Sequence, residues 1–288
     1  MTVNSLSTQV RLLISCHDKP GIVAAVSAFL QKNGANILQS DQYSTDPSGG
    51  MFFMRVEFDL YGSYQLEDLR HSFIEIASEF SMDWRMEPAS RKKKMAIFVS
   101  KEDHCLLELL WKWKAGELKA EIPLVISNHK DLQNEVESYG IPFFYVPVTK
   151  ESKAEAEQEA IKLLHKYEID FIVLARYMQI LSPTFVSTFP KRIINIHHSF
   201  LPAFIGANPY AKAFERGVKL IGATAHYVTD DLDEGPIIEQ DVLRVNHRYT
   251  TDKLKIAGRQ VERIALARAV TWHLNDQIIV YGNKTVIF

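Results

Sequence analysis

Phe171-Ile172-Val173-Leu174-Ala175 is apolar at every position and lies between Asp170 and Arg176. A strand with one wet face alternates polar with apolar side chains. A run without alternation is read as a strand covered on both faces, the habit of parallel sheets. Ile122-Pro123-Leu124-Val125-Ile126 reads the same way, interrupted only by its proline. Outward from these two runs, residues 95–100, 122–127, 143–146, 171–175 and 193–196 are predicted strands. Residues 105–114, 131–139 and 155–166 are predicted helices between them. Such alternation builds a mostly parallel, doubly wound α/β sheet with helices on both faces. Sheets of this kind take ligands just beyond the carboxyl ends of their strands. Strands at 222–229 and 236–243 precede a long amphipathic helix at 251–274. Residues 277–281 and 284–288 flank Gly282-Asn283 as a terminal hairpin.

The first ninety residues carry a different pattern. A β-rich run at 9–16 stops at His17-Asp18-Lys19-Pro20-Gly21, where the Pro-Gly pair forces a turn. Ile22, Val23, Val26, Phe29 and Leu30 then recur at helical spacing until Asn33-Gly34 supplies a C-cap. Residues 36–45 and 51–60 alternate around Asp46-Pro47-Ser48-Gly49-Gly50, and a helix at 66–80 and a strand at 82–86 complete a βαββαβ, ferredoxin-like order. Proline, small residues and the run Arg91-Lys92-Lys93-Lys94 mark a solvated linker. The expected domains are therefore 1–88 and 95–288, joined by 89–94.

With 288 residues, 47% hydrophobic and 24% charged, the chain has the composition of a soluble globular protein. A net charge of −2 gives no general attraction to nucleic acid or to an anionic membrane. Two distant cysteines, Cys16 and Cys105, each in an apolar stretch, read as buried reduced thiols. The start of the chain lacks the pattern of a signal peptide, and no apolar stretch is long enough to span a bilayer. A cytoplasmic protein is expected.

The densest polar cluster in an apolar setting is Asn195-Ile196-His197-His198-Ser199-Phe200-Leu201-Pro202. Strand alternation puts Asn195 and His197 on one side. An amide N–H donor beside an imidazole suits a carbonyl oxygen gaining negative charge. A turn-capping asparagine and a hydrogen-bonded core histidine fit the same letters. The second cluster, Thr229-Asp230-Asp231-Leu232-Asp233-Glu234-Gly235-Pro236, reads by itself as a solvated acidic turn. It follows a buried strand carrying His226, and an aspartate brought beside His197 would hold or relay a proton. The first strand of this domain leads into Ser100-Lys101-Glu102-Asp103-His104, with neither GxGxxG nor GxxxxGK[ST], so no dinucleotide or nucleoside triphosphate is expected. His197, His198 and His226 lack the companions of a recognisable metal set, so no metal or other cofactor is expected.

These segments, with Gly222-Ala223-Thr224-Ala225-His226-Tyr227-Val228 and Asp233-Glu234-Gly235-Pro236-Ile237-Ile238-…-Gln240, resemble the folate-dependent formyltransferase family over residues 95–245. The resemblance implies a catalytic trio of Asn195, His197 and Asp233. It implies a pterin pocket in Leu174-Ala175-Arg176-Tyr177-Met178-Gln179-Ile180-Leu181-Ser182-Pro183, with Tyr177, Met178, Gln179, Ile180 and Leu181 as folate contacts. Thr229 and Asp230 join them, and His198, Ser199 and His226 support the site. The N-terminal domain resembles an ACT module, and the fusion is similar to the formyltetrahydrofolate deformylase family. That implies hydrolysis of 10-formyltetrahydrofolate to formate and tetrahydrofolate, adjusting the one-carbon folate pool and supplying formate for purine synthesis. Lys101-Glu102-Asp103-His104 replaces the phosphate-holding loop of the glycinamide ribonucleotide transformylases, which favours water over an amine acceptor. A formyltransferase acting on a small amine, or a silent folate or amino-acid sensor, are the alternatives. The ACT resemblance implies a homo-oligomer and an amino-acid effector near Asp18, Gly21 and Ile22, where Gly21 would let a carboxylate approach the helix N-terminus. A pure dimerisation scaffold is the other reading.

Overall fold

The computed structural model describes residues 8–46, 49–61, 65–202 and 209–288. The chain divides into two compact units. The first holds β1 (Thr8–His17), α1 (Ile22–Lys32), β2 (Ala35–Ser44), β3 (Met51–Leu60), α2 (Leu66–Glu79) and β4 (Asp83–Pro88). Its sheet is antiparallel with order β2-β3-β1-β4. α1 turns Ile22, Val26, Phe29 and Leu30 to the core, one stripe of a 3.6-residue period. They pack with Phe58, Phe73 and Met86, each such buried side chain being worth about 1.5–3 kcal/mol.

The second unit runs through β5 (Lys93–Val99), α3 (His104–Lys114), β6 (Ala120–Ser127), α4 (Gln133–Ser138), β7 (Phe143–Tyr145), α5 (Lys153–Lys166) and β8 (Phe171–Leu174). It continues through α6 (Pro183–Thr188), β9 (Ile193–His197), α7 (Pro209–Arg216), β10 (Leu220–Tyr227), β11 (Ile237–Arg244) and α8 (Thr251–Leu274). The sheet order is β11-β10-β9-β8-β5-β6-β7. Pairings from β9 across to β7 are parallel, while β10 is antiparallel to both neighbours. All four residues of β8 are buried, as its lack of alternation predicts. β5 starts a run in one direction through β6 and β7, whereas β8 lies on its other side. The crevice beyond the ends of β5 and β8 is thus the switch point where open α/β sheets take ligands. α6 and α7 are absent from the sequence reading: both are short. α6 is set by Ser182, whose Oγ accepts from Phe185 N at 3.2 Å with Pro183 in the first turn.

Two boundaries differ from the expectation. Lys93 and Lys94 are strand residues, not linker: Lys94 N donates to Asp170 Oδ2 (2.8 Å) and Lys93 Nζ to the His273 carbonyl (2.6 Å). The tail, β12 (Ile278–Tyr281) and β13 (Lys284–Ile287), forms the expected hairpin. Asn275–Tyr281 and Val286–Phe288 nevertheless cluster with the first unit. The cause is a charge network around the buried Asp276: Arg55 Nε donates to the Asp276 carbonyl (3.0 Å), and the Asp276 carboxylate lies 3.6 Å from Arg11 and 3.4 Å from the half-exposed Arg85. Cys16 and Cys105 are buried free thiols. Among the described residues no helix is long and apolar enough to cross a membrane.

Candidate active site

Register brings the first groups together. β9 pairs with β10 so that Asn195 faces His226 and His197 faces Thr224. Alternation along β9 then gives Asn195 and His197 to one face. His226 is buried, with Nδ1 2.9 Å from the Tyr227 carbonyl, an acceptor that requires the ring proton there. In the neutral ring Nε2 is then the acceptor, and the Asn195 amide nitrogen lies 3.2 Å away. One amide N–H is used, and the other is left for a ligand.

The acidic turn closes onto this strand pair. Tyr227 N donates to the Pro236 carbonyl (2.9 Å), folding the turn back over the end of β10. The fold-back demands glycine at 235, where a Cβ would lie 1.8 Å from the Tyr227 carbonyl oxygen. Asp233 occupies the left-handed region at φ +59. Its Oδ2 lies 3.1 Å from His197 Nδ1 and its Oδ1 3.6 Å from His226 Nε2. Burial opposes ionisation of Asp233, but the contact with His197 outweighs it and holds the carboxyl well below the usual range. The carboxylate keeps a proton on His197 Nδ1. His197 is 6% exposed, and its Nε2 has no hydrogen-bond partner. Buried polar atoms are rarely left so, and an orphan in a cavity wall marks a place for a ligand.

Asn195, His197, His226 and Asp233 line a cavity of about 300 Å³ together with Tyr177, Met178, Gln179, Ile180, Leu181, Thr229 and Asp230. All seven expected folate positions are thus on its wall. The 176–182 loop is tied at both ends. Met178 N donates to Ser100 Oγ (3.0 Å), itself bonded to Asn128 Oδ1 (2.7 Å), and Ser182 N donates to Glu157 Oε1 (2.9 Å). Tyr177 stacks edge-on against Phe98 at 5.3 Å, and burial followed by the Glu157 charge pushes its hydroxyl up to about 12. Met178 and Ile180 remain 56% and 61% exposed, an apolar surface suited to a flat ring. Ser100 and Glu157 escaped the sequence reading because nothing local marks a residue as the anchor of a distant loop.

The supporting residues separate. His198 lies on the cavity wall; burial and then the Arg176 charge bring its imidazole down to about 4, so it is neutral at pH 7. Ser199 lies off that wall: it is buried, and its carbonyl accepts from Thr224 Oγ1 (2.9 Å). Thr224 Oγ1 also accepts from Leu201 N (3.0 Å) and from Gln240 Nε2 (3.0 Å), which fixes the segment after β9.

In the first unit, Gly21 caps α1 at φ +97 without a side-chain cap. Asp18 accepts from the Ser44 hydroxyl, and the Ile22 side chain is in the core. The Ile22 side chain is therefore not available to an effector, whereas the part-buried Asp18 carboxylate keeps acceptor capacity beyond its bond to Ser44.

A second cavity, of about 360 Å³, is bounded by Glu102, His104, Tyr210, Lys255, Arg259 and Glu262. The charge of Glu102, in the 101–104 loop, is offset there: Arg259 Nη2 lies 2.8 Å from Glu102 Oε2. α8 supplies that cation from far along the chain. Glu262 meets His104 Nε2 (2.8 Å), Tyr210 Oη (2.7 Å) and Arg176 Nε (3.4 Å). Burial opposes its ionisation, yet His104, Arg176 and Tyr210 together bring the carboxyl down to about 2. His104, Cys105 and Glu262 are close enough to hold a metal ion. The Arg176 guanidinium already lies against that carboxylate, and burial followed by the Glu262 charge pushes the Cys105 thiol well up. This is the chemistry of a closed ion-pair cluster rather than of a ligand set.

Residues 93–270 match the family described as formyl transferase and 10–60 the ACT domain. A formyltetrahydrofolate deformylase of Bacillus subtilis (strain 168) is 60% identical over 279 residues, covering 96% of this chain and 93% of its own. The crystal structure of a formyltetrahydrofolate deformylase from Pseudomonas syringae pv. tomato superposes with a TM-score of 0.94 at 48% identity, over 97% of this chain and 94% of that one. Glycinamide ribonucleotide transformylase 1 from Symbiobacterium toebii matches 68% of this chain and 94% of its own, with a TM-score of 0.65 and 26% identity. The Bacillus subtilis and Pseudomonas syringae relatives span nearly the whole of this chain, and the chain belongs to the formyltetrahydrofolate deformylase family.

Proposed function

We propose that the chain hydrolyses 10-formyltetrahydrofolate to formate and tetrahydrofolate. The observation that carries this reading is the orphan Nε2 of His197, beside the Asn195 amide and backed by an ionised Asp233 on the opposite ring nitrogen. The pterin lies along the apolar face of Met178 and Ile180, and the N10-formyl group reaches the end of β9. The free N–H of Asn195 donates to the formyl oxygen, a contact typically worth about 2.7–4 kcal/mol once that oxygen becomes an oxyanion. Protonated His197 adds a charged donor from Nε2, and its positive charge is stabilised by Asp233. Water attacks the formyl carbon and loses its proton to the Asp233–His197 pair, which shares its protons as a unit. The C–N10 bond then breaks, N10 takes up a proton, and formate leaves.

The test is incubation with 10-formyltetrahydrofolate alone. Formate and tetrahydrofolate in equal amounts are expected; absence of formate until an amine is added refutes hydrolysis.

The ACT unit is read as a regulatory and self-associating module. The uncapped α1 N-terminus at Gly21 supports a ligand carboxylate at its backbone N–H groups. β2 supports association: it is a ten-residue edge strand with Leu38 and Tyr43 about half exposed, the kind of edge that proteins cover by pairing. A thermal shift with glycine or methionine tests the first, and light scattering the second. No shift with any amino acid leaves a scaffold.

A further inference from the structure

Arg176 stands in the left-handed region at φ +64, just past the buried end of β8. That conformation is free for glycine and costly for a residue with a Cβ, so an arginine held there is strain that its surroundings maintain. They do so through Glu262, which is 1% exposed, hydrogen-bonded to His104 and Tyr210, and ion-paired with Arg176, whose Nε lies 3.4 Å from it without a hydrogen bond. α8 is cut back to admit the cluster: a Cβ on Gly258 would lie 1.9 Å from Tyr210 Oη. A buried carboxylate held by two hydrogen-bond donors is a fixed counter-charge for the guanidinium beside it.

Two cavities meet at this arginine. The one that takes the formyl group and the one bounded by Lys255 and Arg259 share a wall made of Arg176, Met178 and His198. The second cavity is large enough for a small polar molecule. A nucleophile coming to the formyl carbon from that side meets the wall first.

We propose that Arg176, pinned by Glu262, is a specificity-determining residue that keeps this side of the formyl group closed to amines and open to water. The inference rests on the hydrolytic reading above. Bulk is one part of the exclusion. Charge is the other: primary amines are mostly ammonium ions at neutral pH, and Arg176, Lys255 and Arg259 outnumber Glu102 and Glu262 around the second cavity. Water incurs neither cost. In the excluded reaction an amine nitrogen bonds to the formyl carbon, the C–N10 bond breaks, and the proton lost by the amine goes to N10. Discrimination here comes from obstruction of the wrong acceptor.

The test uses the full chain, 10-formyltetrahydrofolate and a large excess of glycinamide as a small primary amine, with formate and N-formylglycinamide both measured. Arg176→Gly suits the φ at this position. Its ratio of formylated amide to formate is expected to exceed that of the unaltered chain at least tenfold, roughly one decade of barrier difference. Arg176→Asn, also tolerant of positive φ, carries the same expectation should the glycine variant not fold. A ratio within about twofold of the unaltered chain overturns the inference while leaving hydrolysis in place. Loss of both products from a folded variant overturns it too, since Arg176 then serves the chemistry itself. If the unaltered chain releases no formate without amine, the hydrolytic reading falls and this one with it.

Discussion

Asp233→Asn removes one negative charge while keeping the side chain's shape, and asparagine tolerates the φ of +59 found at this position. The charge lies 3.1 Å from His197 Nδ1 and 3.6 Å from His226 Nε2, in a side chain only 11% exposed. Two unit charges about 4 Å apart interact by about 4 kcal/mol at an effective dielectric constant of about 20. A hydrogen bond to a charged group contributes about 1.5–3 kcal/mol. A transition state with a positively charged His197 therefore rises by about 3–4 kcal/mol, or two to three decades at about 1.4 kcal/mol each. Loss of the proton acceptor deepens the defect, so a fall in kcat of about 10³ or more is expected. KM is expected to change little, because the Met178 and Ile180 face is untouched. Single-turnover formate release with enzyme in excess isolates the chemical step. The folded carboxyl lies well below its unfolded value, so its stabilising contribution is present above the ordinary carboxylate range and is lost as pH falls through the folded value. The variant lacks that contribution and should melt a few degrees lower at neutral pH, with a native circular dichroism spectrum. A kcat within about threefold of the unaltered chain, in a folded protein, would refute the role of Asp233.

Asn195→Ala should lower kcat by about 10²–10³ with a small change in KM, as for a lost oxyanion donor; an effect confined to KM would count against it. Gly235→Ala places a Cβ 1.8 Å from the Tyr227 carbonyl and must unseat the turn that carries Asp233. Both kcat and melting temperature should fall, the latter from a loss of roughly 3 kcal/mol or more, and wild-type values for both would contradict the close approach. Glu262 falls from 4.5 in the unfolded chain to about 2 when folded, on the order of 3 kcal/mol at about 1.4 kcal/mol per pH unit. That stability is complete above about pH 5 and is lost as pH drops toward 2. Glu262→Gln should therefore flatten the acid limb of a denaturation series between those values, and an unchanged limb would refute it. His198 is already neutral down to about pH 4. His198→Gln should therefore leave the acid limb of kcat/KM in place between pH 5 and 8, and a shifted limb would contradict that.

Much of the fold follows from local patterns. The unbroken apolar letters of β8 read as a strand covered on both faces, and the 3.6-residue stripe of α1 marks its buried side at Ile22, Val26, Phe29 and Leu30, while Val23 is exposed. Period-two alternation puts Asn195 and His197 on one face of β9 independently of any neighbouring strand. Asp233 was different: its letters are those of any solvated acidic turn. What brought it to His197 was the β9–β10 register, the fold-back over Tyr227 and a left-handed residue, none of which is a property of the segment alone. The same holds for the Glu262 cluster, whose His104 contact spans 158 positions, and for Arg259, which offsets the charge of Glu102. The tail joins the first unit through Asp276, a residue unremarkable in sequence. Periodicity is written locally because each side chain's direction depends on its own backbone. Charge pairing and anchoring depend on distance through space, and only the tertiary structure sets that.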